Sequence, residues 1–435
     1  MHILLTCAYT AIFIYIIRKW SFFRSEGIPS SWPSILFLLK IAAGVFLGLI
    51  YTYHYTDTKT TDTFKFFNDS SILFGALRDH PYDFFRMLTG YHDDAPELRK
   101  YYLQMDAWLN TNMLFNDNRT IIRLNAVFHF FSLGNYYVHV VLLNFLSMTG
   151  LFALYKVFSN ECGDRKKELL LLTFMLPSTL FWGSGLLKDG LLIFGMGIFI
   201  YHFYYFLKSP GETKRLLPLI VMTGLLSITK FYIIIILAPG LVTWWITARM
   251  NLKHSGRYLA LVYAVFFIVA FNFYRIVPEY DLAAMLYWKQ FNFYGFANSV
   301  DSKSLISIPI LGLDSWSVIK NIPHAFVTTF FRPFFFDIKG NPLVLLSVTE
   351  NCILFVITGM AIYNFRKPLQ KDKGLFWTAV CFILILYVLI GLTTPVLGAI
   401  VRYKIPALPF LGFVLISLSK KPKFIINIEQ RIEMK

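Results

Sequence analysis

The sequence predicts an all-α, polytopic membrane protein of about eleven transmembrane helices, with interfacial amphipathic helices in two large external loops. Three observations predict it. Apolar residues make up 56% of the 435-residue chain and charged residues only 15%, whereas a soluble chain is about a quarter charged. Phe, Tyr and Trp number 45, 25 and 9, more apolar surface than a globule of this length hides. The apolar residues also fall into runs of bilayer-spanning length, separated by short basic connectors.

Taken in order, spans are expected near 2–17, 34–54, 135–157, 168–184, 189–207, 216–229, 231–248, 258–274, 343–365, 375–393 and 405–419. The first differs from a signal peptide. Its positive charges, Arg18 and Lys19, follow the run, and no small-residue cleavage site comes after it. It is therefore expected to remain as a membrane helix. The two spans around Lys230 are the least regular, because the first is short. Residues 1–33 form this extra helix and a basic loop, 34–419 the membrane core, and 420–435 a basic cytoplasmic tail.

The net charge of +16 is explained by sidedness. If connectors alternate sides, one set comprises 18–33, 156–168, 208–215, 249–257, 366–373 and 420–435. It holds 22 of the 41 Lys and Arg but only 8 of the 25 acids. Short basic loops face the cytoplasm. The N-terminus is thus expected outside and the C-terminus inside, and the basic balance reads as an insertion signal rather than a nucleic-acid surface. Outside, 19 basic residues face 17 acidic ones.

Two external loops, 55–134 and 275–342, are long and aromatic. In the first, three helical patterns stand out: one capped at Asp69-Ser70-Ser71 with Leu73 and Leu77 on a face, one after Pro96 with Tyr101, Met105, Trp108 and Leu109, and one after Asn116-Asp117-Asn118 with Ile121, Leu124, Phe128 and Phe131. The second carries Tyr287-Trp288, Phe291-Asn292-Phe293-Tyr294 and Phe330-Phe331-Arg332-Pro333-Phe334-Phe335-Phe336. Such helices are expected to lie on the bilayer as covers over a cavity.

No Walker loop, dinucleotide fingerprint, HExxH, internal repeat or metal-type cysteine spacing is present. The informative residues are polar groups near the membrane. Asp62 follows the second span by about eight residues and reads either as a loop acid or as a carboxylate at the membrane surface. Asp69 reads as a helix N-cap, and Asp93 and Asp94 as solvated turn residues. His54 reads as an interface residue. In Leu176-Pro177-Ser178 through Trp182-Gly183-Ser184-Gly185 and Lys188-Asp189, small residues let backbones approach and Asp189 can cap the next helix. Lys188 is placed to snorkel. Lys230, Arg332, Arg402 and Lys404 are external cations against the positive-inside trend, and their partners are lipid headgroups or a bound phosphate.

In this order and on one side of the membrane, the motifs resemble GT-C-type polytopic membrane glycosyltransferases, which use polyprenyl-phosphate sugars. Asp62 with Phe66 matches the acidic residue of the family's first external loop. Pro177, Phe181, Ser184 and Asp189 match its Pro-aromatic-Ser-acid patch, and Arg402-Tyr403-Lys404-Ile405-Pro406-Ala407-Leu408-Pro409 its late Arg-Tyr-x-x-Pro-x-x-Pro pattern. The resemblance covers about 34–419, with one helix preceding the usual first and a single Asp62 where an acidic pair is common.

The resemblance implies transfer of a sugar from a polyprenyl-phosphate carrier to a glycan, lipid or protein acceptor on the external face. Asp62 would be the catalytic base; Lys230, Arg402 and Lys404, with Lys188 and Arg332, would bind the lipid phosphate. Asp69 or Asp189 would orient the acceptor or a divalent metal, the one cofactor left open. A transporter or flippase for a lipid-linked or anionic solute, a polysaccharide polymerase and a non-catalytic assembly subunit are the alternatives. Phe, Ile, Tyr and Lys usage points to a bacterial inner membrane.

Overall fold

The computed structural model describes residues 2–53, 61–109, 116–209, 211–250, 252, 254–300, 302, 304–338, 342–366 and 372–421. His54 and most of the 420–435 tail lie outside them. Helices dominate, and among the described residues the only β-type pairings are isolated bridges, Leu305 with Val396 and Phe365 with Ser419.

In chain order the helices are α1 (His2–Lys19), α2 (Trp32–Tyr53), α3 (Asp62–Asp79), α4 (Pro81–Thr89), α5 (Arg99–Tyr102), α6 (Asn118–Ser132), α7 (Tyr136–Ser159), α8 (Lys166–Phe174) and α9 (Pro177–Phe181). They continue with α10 (Lys188–Lys208), α11 (Leu216–Arg249), α12 (Ser255–Asn272), α13 (Leu282–Ser299), α14 (Ser315–Phe331), α15 (Pro342–Tyr363), α16 (Lys373–Thr393), α17 (Leu397–Tyr403) and α18 (Leu408–Leu418). Among the described residues, nine stretches are long and apolar enough to cross a membrane. They are α1, α2, α7, α10, α11, α12, α15, α16 and the α17–α18 segment. The chain is a multi-pass, all-α membrane protein.

Three expected spans come out differently. Residues 168–184 are not one helix: α8 stops at Phe174, α9 starts at Pro177, and a 3-10 turn covers Trp182–Ser184. Pro177 has no N–H and disfavours helical geometry at Leu176, which a hydropathy run cannot register. The runs on either side of Lys230 form one element, α11, broken at Lys230, where φ is −153° and ψ is 80°. Its 34 residues would extend about 51 Å if straight, against a hydrocarbon core of about 30 Å.

The chain divides into two compact units. The first comprises Met1–Lys156 and Thr179–Phe231. Here α7 and α10 approach closely at Gly150 and Gly197, where a Cβ on either would meet backbone of the other helix. A layer of α3, α4 and α6 buries Phe66, Leu73, Phe84, Met87, Ile121 and Ala126. Pro81 starts α4, and Gly90 ends it in the left-handed conformation, φ 82°.

This layer corrects three expectations. α3 begins at Asp62, so Asp69-Ser70-Ser71 lie in mid-helix and Asp69 is not an N-cap. The pattern after Pro96 yields a 3-10 turn and the four-residue α5 rather than a longer helix. α6 forms as expected with Ile121 and Phe128 buried, but Phe131 is exposed.

The second unit comprises Val157–Ser178 and Tyr232–Lys435. Asp281, Asp314 and Asp372 cap α13, α14 and α16 through side-chain bonds to backbone amides. α14 packs lengthwise and antiparallel on α16: Thr329 Oγ1 donates to Tyr387 O at 2.7 Å, and Ala325 lies against Gly391. A helix expected to lie flat at the interface therefore runs beside the second half of an apolar helix. Ala283, Leu286, Val318, Ala325 and Leu392 form the apolar contact among α13, α14 and α16.

Candidate anion-binding site

In the first unit the site is assembled from the N-terminal ends of α6 and α10 and the break in α11. Lys188 is the first residue of α10 and Lys230 sits at the break. Their ammonium groups converge on one carboxylate. Lys188 Nζ lies 2.7 Å from Asp117 Oδ1, and Lys230 Nζ lies 3.4 Å from Asp117 Oδ2. Lys188 also donates to Asn118 Oδ1 at 2.8 Å and lies 5.8 Å from the centre of the Phe66 ring. Asp62, exposed in the first turn of α3, acts electrostatically on Lys188.

The local backbone explains this arrangement. The conformation at Lys230 interrupts the ladder of α11, and Thr120 Oγ1 from α6 donates to the Ile228 carbonyl at 2.7 Å. α6 is thereby tied to the break and brings Asp117 to Lys230. Burial raises the Asp117 carboxyl, but the ammonium groups of Lys230 and Lys188 outweigh it and hold the group below the usual carboxylate value. The side chain of Asp117 keeps 24% exposure, against 12% for Lys188 and 11% for Lys230.

Asp69 supports the site from beneath. Its Oδ1 accepts Asp106 N at 2.9 Å and its Oδ2 accepts Ala107 N at 2.8 Å. Burial pushes this carboxyl up, against the lowering by those amides. The same segment receives Asn116 Nδ2 at Trp108 O, 2.8 Å, and Asn118 Nδ2 at Ala107 O, 3.3 Å. Asp69 therefore holds the strip on which the start of α6 rests. With both oxygens on amides and 1% exposure, it does not fit the expected acceptor or metal role. Asp189 is also buried, at 3%. Among the described residues no group of three or more His, Cys, Asp or Glu could hold a metal ion.

Further out, Asp93 is in a turn but is an ion-pair partner rather than a solvated acid. Arg119 and Arg123 of α6 reach its Oδ2 at 3.2 and 2.7 Å and both lie over Trp108.

The remaining predicted cations lie in the second unit. Lys404, at the end of α17, is 1% exposed and donates to Asn351 Oδ1 at 3.0 Å and to Arg332 O at 3.4 Å. Asn351 in turn donates to Phe331 O and Pro333 O, fixing the foot of α14. Glu350, fully buried, accepts Ser178 N at 2.5 Å and Ser178 Oγ at 2.8 Å and acts electrostatically on Lys404. Arg332 lies 4.0 Å from Asp337 and is 28% exposed, while Arg402 is half-buried.

Two groups thus form: Lys188 and Lys230 on Asp117 with Asp62 in electrostatic reach of Lys188, and Lys404 on Asn351 and the Arg332 carbonyl. Sequence reasoning missed the role of Asp117, read only as part of the Asn116-Asp117-Asn118 start of a helical pattern, and the buried charges Lys40 and Glu350. Lys40 of α2 is 1% exposed and donates to Gly183 O and Ser184 Oγ, both at 3.0 Å. A lone ionisable residue inside an apolar run would have pointed to both. No family model, curated protein or solved structure matches this chain.

Proposed function

We propose that the protein is a membrane glycosyltransferase that moves a sugar from a polyprenyl-phosphate carrier to a glycan, lipid or protein acceptor on the external face. The observation that carries the reading is the pair of lysines, Lys188 and Lys230, gathered at helix ends beside an exposed carboxylate, Asp62. Asp62 takes the proton of the acceptor hydroxyl as its oxygen attacks the anomeric carbon. The bond from that carbon to the phosphate oxygen breaks, and the leaving polyprenyl phosphate gains charge that fixed ammonium groups stabilise. A single displacement inverts the anomeric carbon. Lys404, in the second unit, is occupied in holding α14.

Counting the two halves of α11 separately and adding the 168–184 segment gives about eleven crossings. A second crossing between Asp117 and Lys188, besides α7, is in keeping with their ion pair at 2.7 Å, and an odd total with an N-terminus out and a C-terminus in across a bacterial inner membrane.

A second reading, transport of an anionic or lipid-linked solute, is favoured by Lys40, Glu350 and Lys404, ionisable groups buried inside candidate spans. One experiment separates the two. Proteoliposomes with a radiolabelled polyprenyl-phosphate sugar are assayed for sugar transfer and for donor movement, with wild type and Asp62→Asn. The proposal expects wild-type transfer and a loss of about 100-fold or more in Asp62→Asn. Full transfer by a folded Asp62→Asn protein overturns the assignment of the base, and donor movement without transfer favours transport.

A further inference from the structure

We infer that Asp117 is an internal counter-ion standing where the ligand's phosphate binds, so that it sets how tightly Lys188 and Lys230 hold an anion. This inference rests on the proposed phosphate-binding role of those lysines. Asp117 occupies the N-cap position of α6, a place where Asp normally accepts a hydrogen bond from the helix's own amides. Its side chain makes no such bond. It spans the two ammonium groups instead, one oxygen to each, at 2.7 and 3.4 Å. The two non-bridging oxygens of a phosphate can take the same bridging arrangement.

Physical reasons make this exchange workable. Two ammonium groups so little exposed need a counter-charge when no ligand is bound, and Asp117 supplies it. It remains 24% exposed, so an incoming anion can reach it, unlike the fully buried Glu350. When it leaves, Asn118 Oδ1 still holds Lys188, and Asn118 is itself anchored to Ala107 O. The start of α6 does not depend on the Asp117 side chain, because Asn116 Oδ1 already accepts Asn118 N at 3.1 Å. A phosphate therefore competes with Asp117, and the affinity measured is the difference between two anions.

The test uses the full chain in detergent micelles titrated with farnesyl phosphate and followed by thermal stabilisation. Asp117→Asn keeps the shape and removes the charge. It is expected to bind the probe about tenfold more tightly than wild type, while Lys230→Gln binds more weakly. Equal or weaker binding by Asp117→Asn, with weakening by Lys230→Gln, overturns the counter-ion role and leaves the phosphate site standing. No binding by either wild type or Asp117→Asn overturns the phosphate site and the counter-ion with it. Should Asp117→Asn fail to fold, the charge-balanced variant Asp117→Asn/Lys230→Gln is compared with Lys230→Gln alone. The counter-ion role expects tighter binding in the double variant; equal or weaker binding overturns it.

Discussion

Lys230 and Lys404 each sit where an apolar helical stretch is interrupted, yet their surroundings differ in kind. Lys230 shares a carboxylate with Lys188, and that carboxylate is partly open to solvent. Lys404 is sealed, its donors spent on the Asn351 side chain and a backbone carbonyl, with Glu350 fully buried in electrostatic reach. An ion pair with one exposed partner can exchange that partner for a ligand. A sealed network cannot do so without leaving a polar group bare, and its role is to fix neighbouring segments. Two lysines that look alike in sequence, both near aromatic residues, are thus separated by burial and by the partners they hold.

The largest test of this difference is Lys404→Met. It leaves Glu350 buried without its cation and frees the foot of α14 at Arg332, for an expected loss of about 3–5 kcal/mol. Thermal unfolding of the purified protein measures it. Adding Glu350→Gln removes the stranded charge and should recover part of the loss. A stable Lys404→Met protein would mean that this network is as exchangeable as the one around Asp117.

Next in size for stability, and largest for function, is Lys230→Gln. Asp117 keeps Lys188 and the Thr120 tie to Ile228 does not involve the ammonium, so the stability change should be about 1 kcal/mol or less. Transfer should nevertheless fall by about 100-fold, as expected when a fixed charge facing a developing anion is removed. Comparing transfer rate and unfolding midpoint on one preparation checks both. If the midpoint falls as far as in Lys404→Met, Lys230 is structural as well, and the contrast between the units disappears.

The same contrast marks what could be read from sequence. α1, α2, α7, α10 and α16 follow the apolar runs within a few residues, because bilayer-length hydropathy is a local property. Asp-Ser-Ser resembles a cap and points to a start of α3 at Asp69, whereas Thr63, Phe66, Ser70 and Leu73 show a buried face that already begins at Thr63. Lys188 and Lys230 were legible as cations beside the apolar runs. Their common partner was not, because Asp117 lies about seventy residues from Lys188 and more than a hundred from Lys230 in sequence, and only α6 packing brings it to them. Asp69 carried the opposite error: its place before Ser70-Ser71 reads as an N-cap, and only the amides of Asp106 and Ala107 reveal a support within the helix.

The smallest expected effect concerns the layer that carries Asp117. His129 of α6 packs between Phe67 and Phe74 of α3, near the His139 ring, with its Nε2 3.1 Å from both Ser70 Oγ and Ser71 Oγ. Burial lowers it from its ordinary 6.5 to about 4. The unfolded chain thus binds a proton as pH falls through 6.5, while the folded layer resists until about pH 4. Stability from the neutral ring is complete above pH 6.5 and is lost progressively down to about 4. His129→Gln should flatten part of this slope in thermal unfolding across that window, by less than the Lys404→Met effect. The partly exposed Asp117 pair is then expected to loosen in acid together with the layer that presents it, whereas the sealed Asn351 network has no part in His129 titration. Parallel pH profiles for wild type and His129→Gln would show that the α3–α6 contact does not set the acid stability of the site.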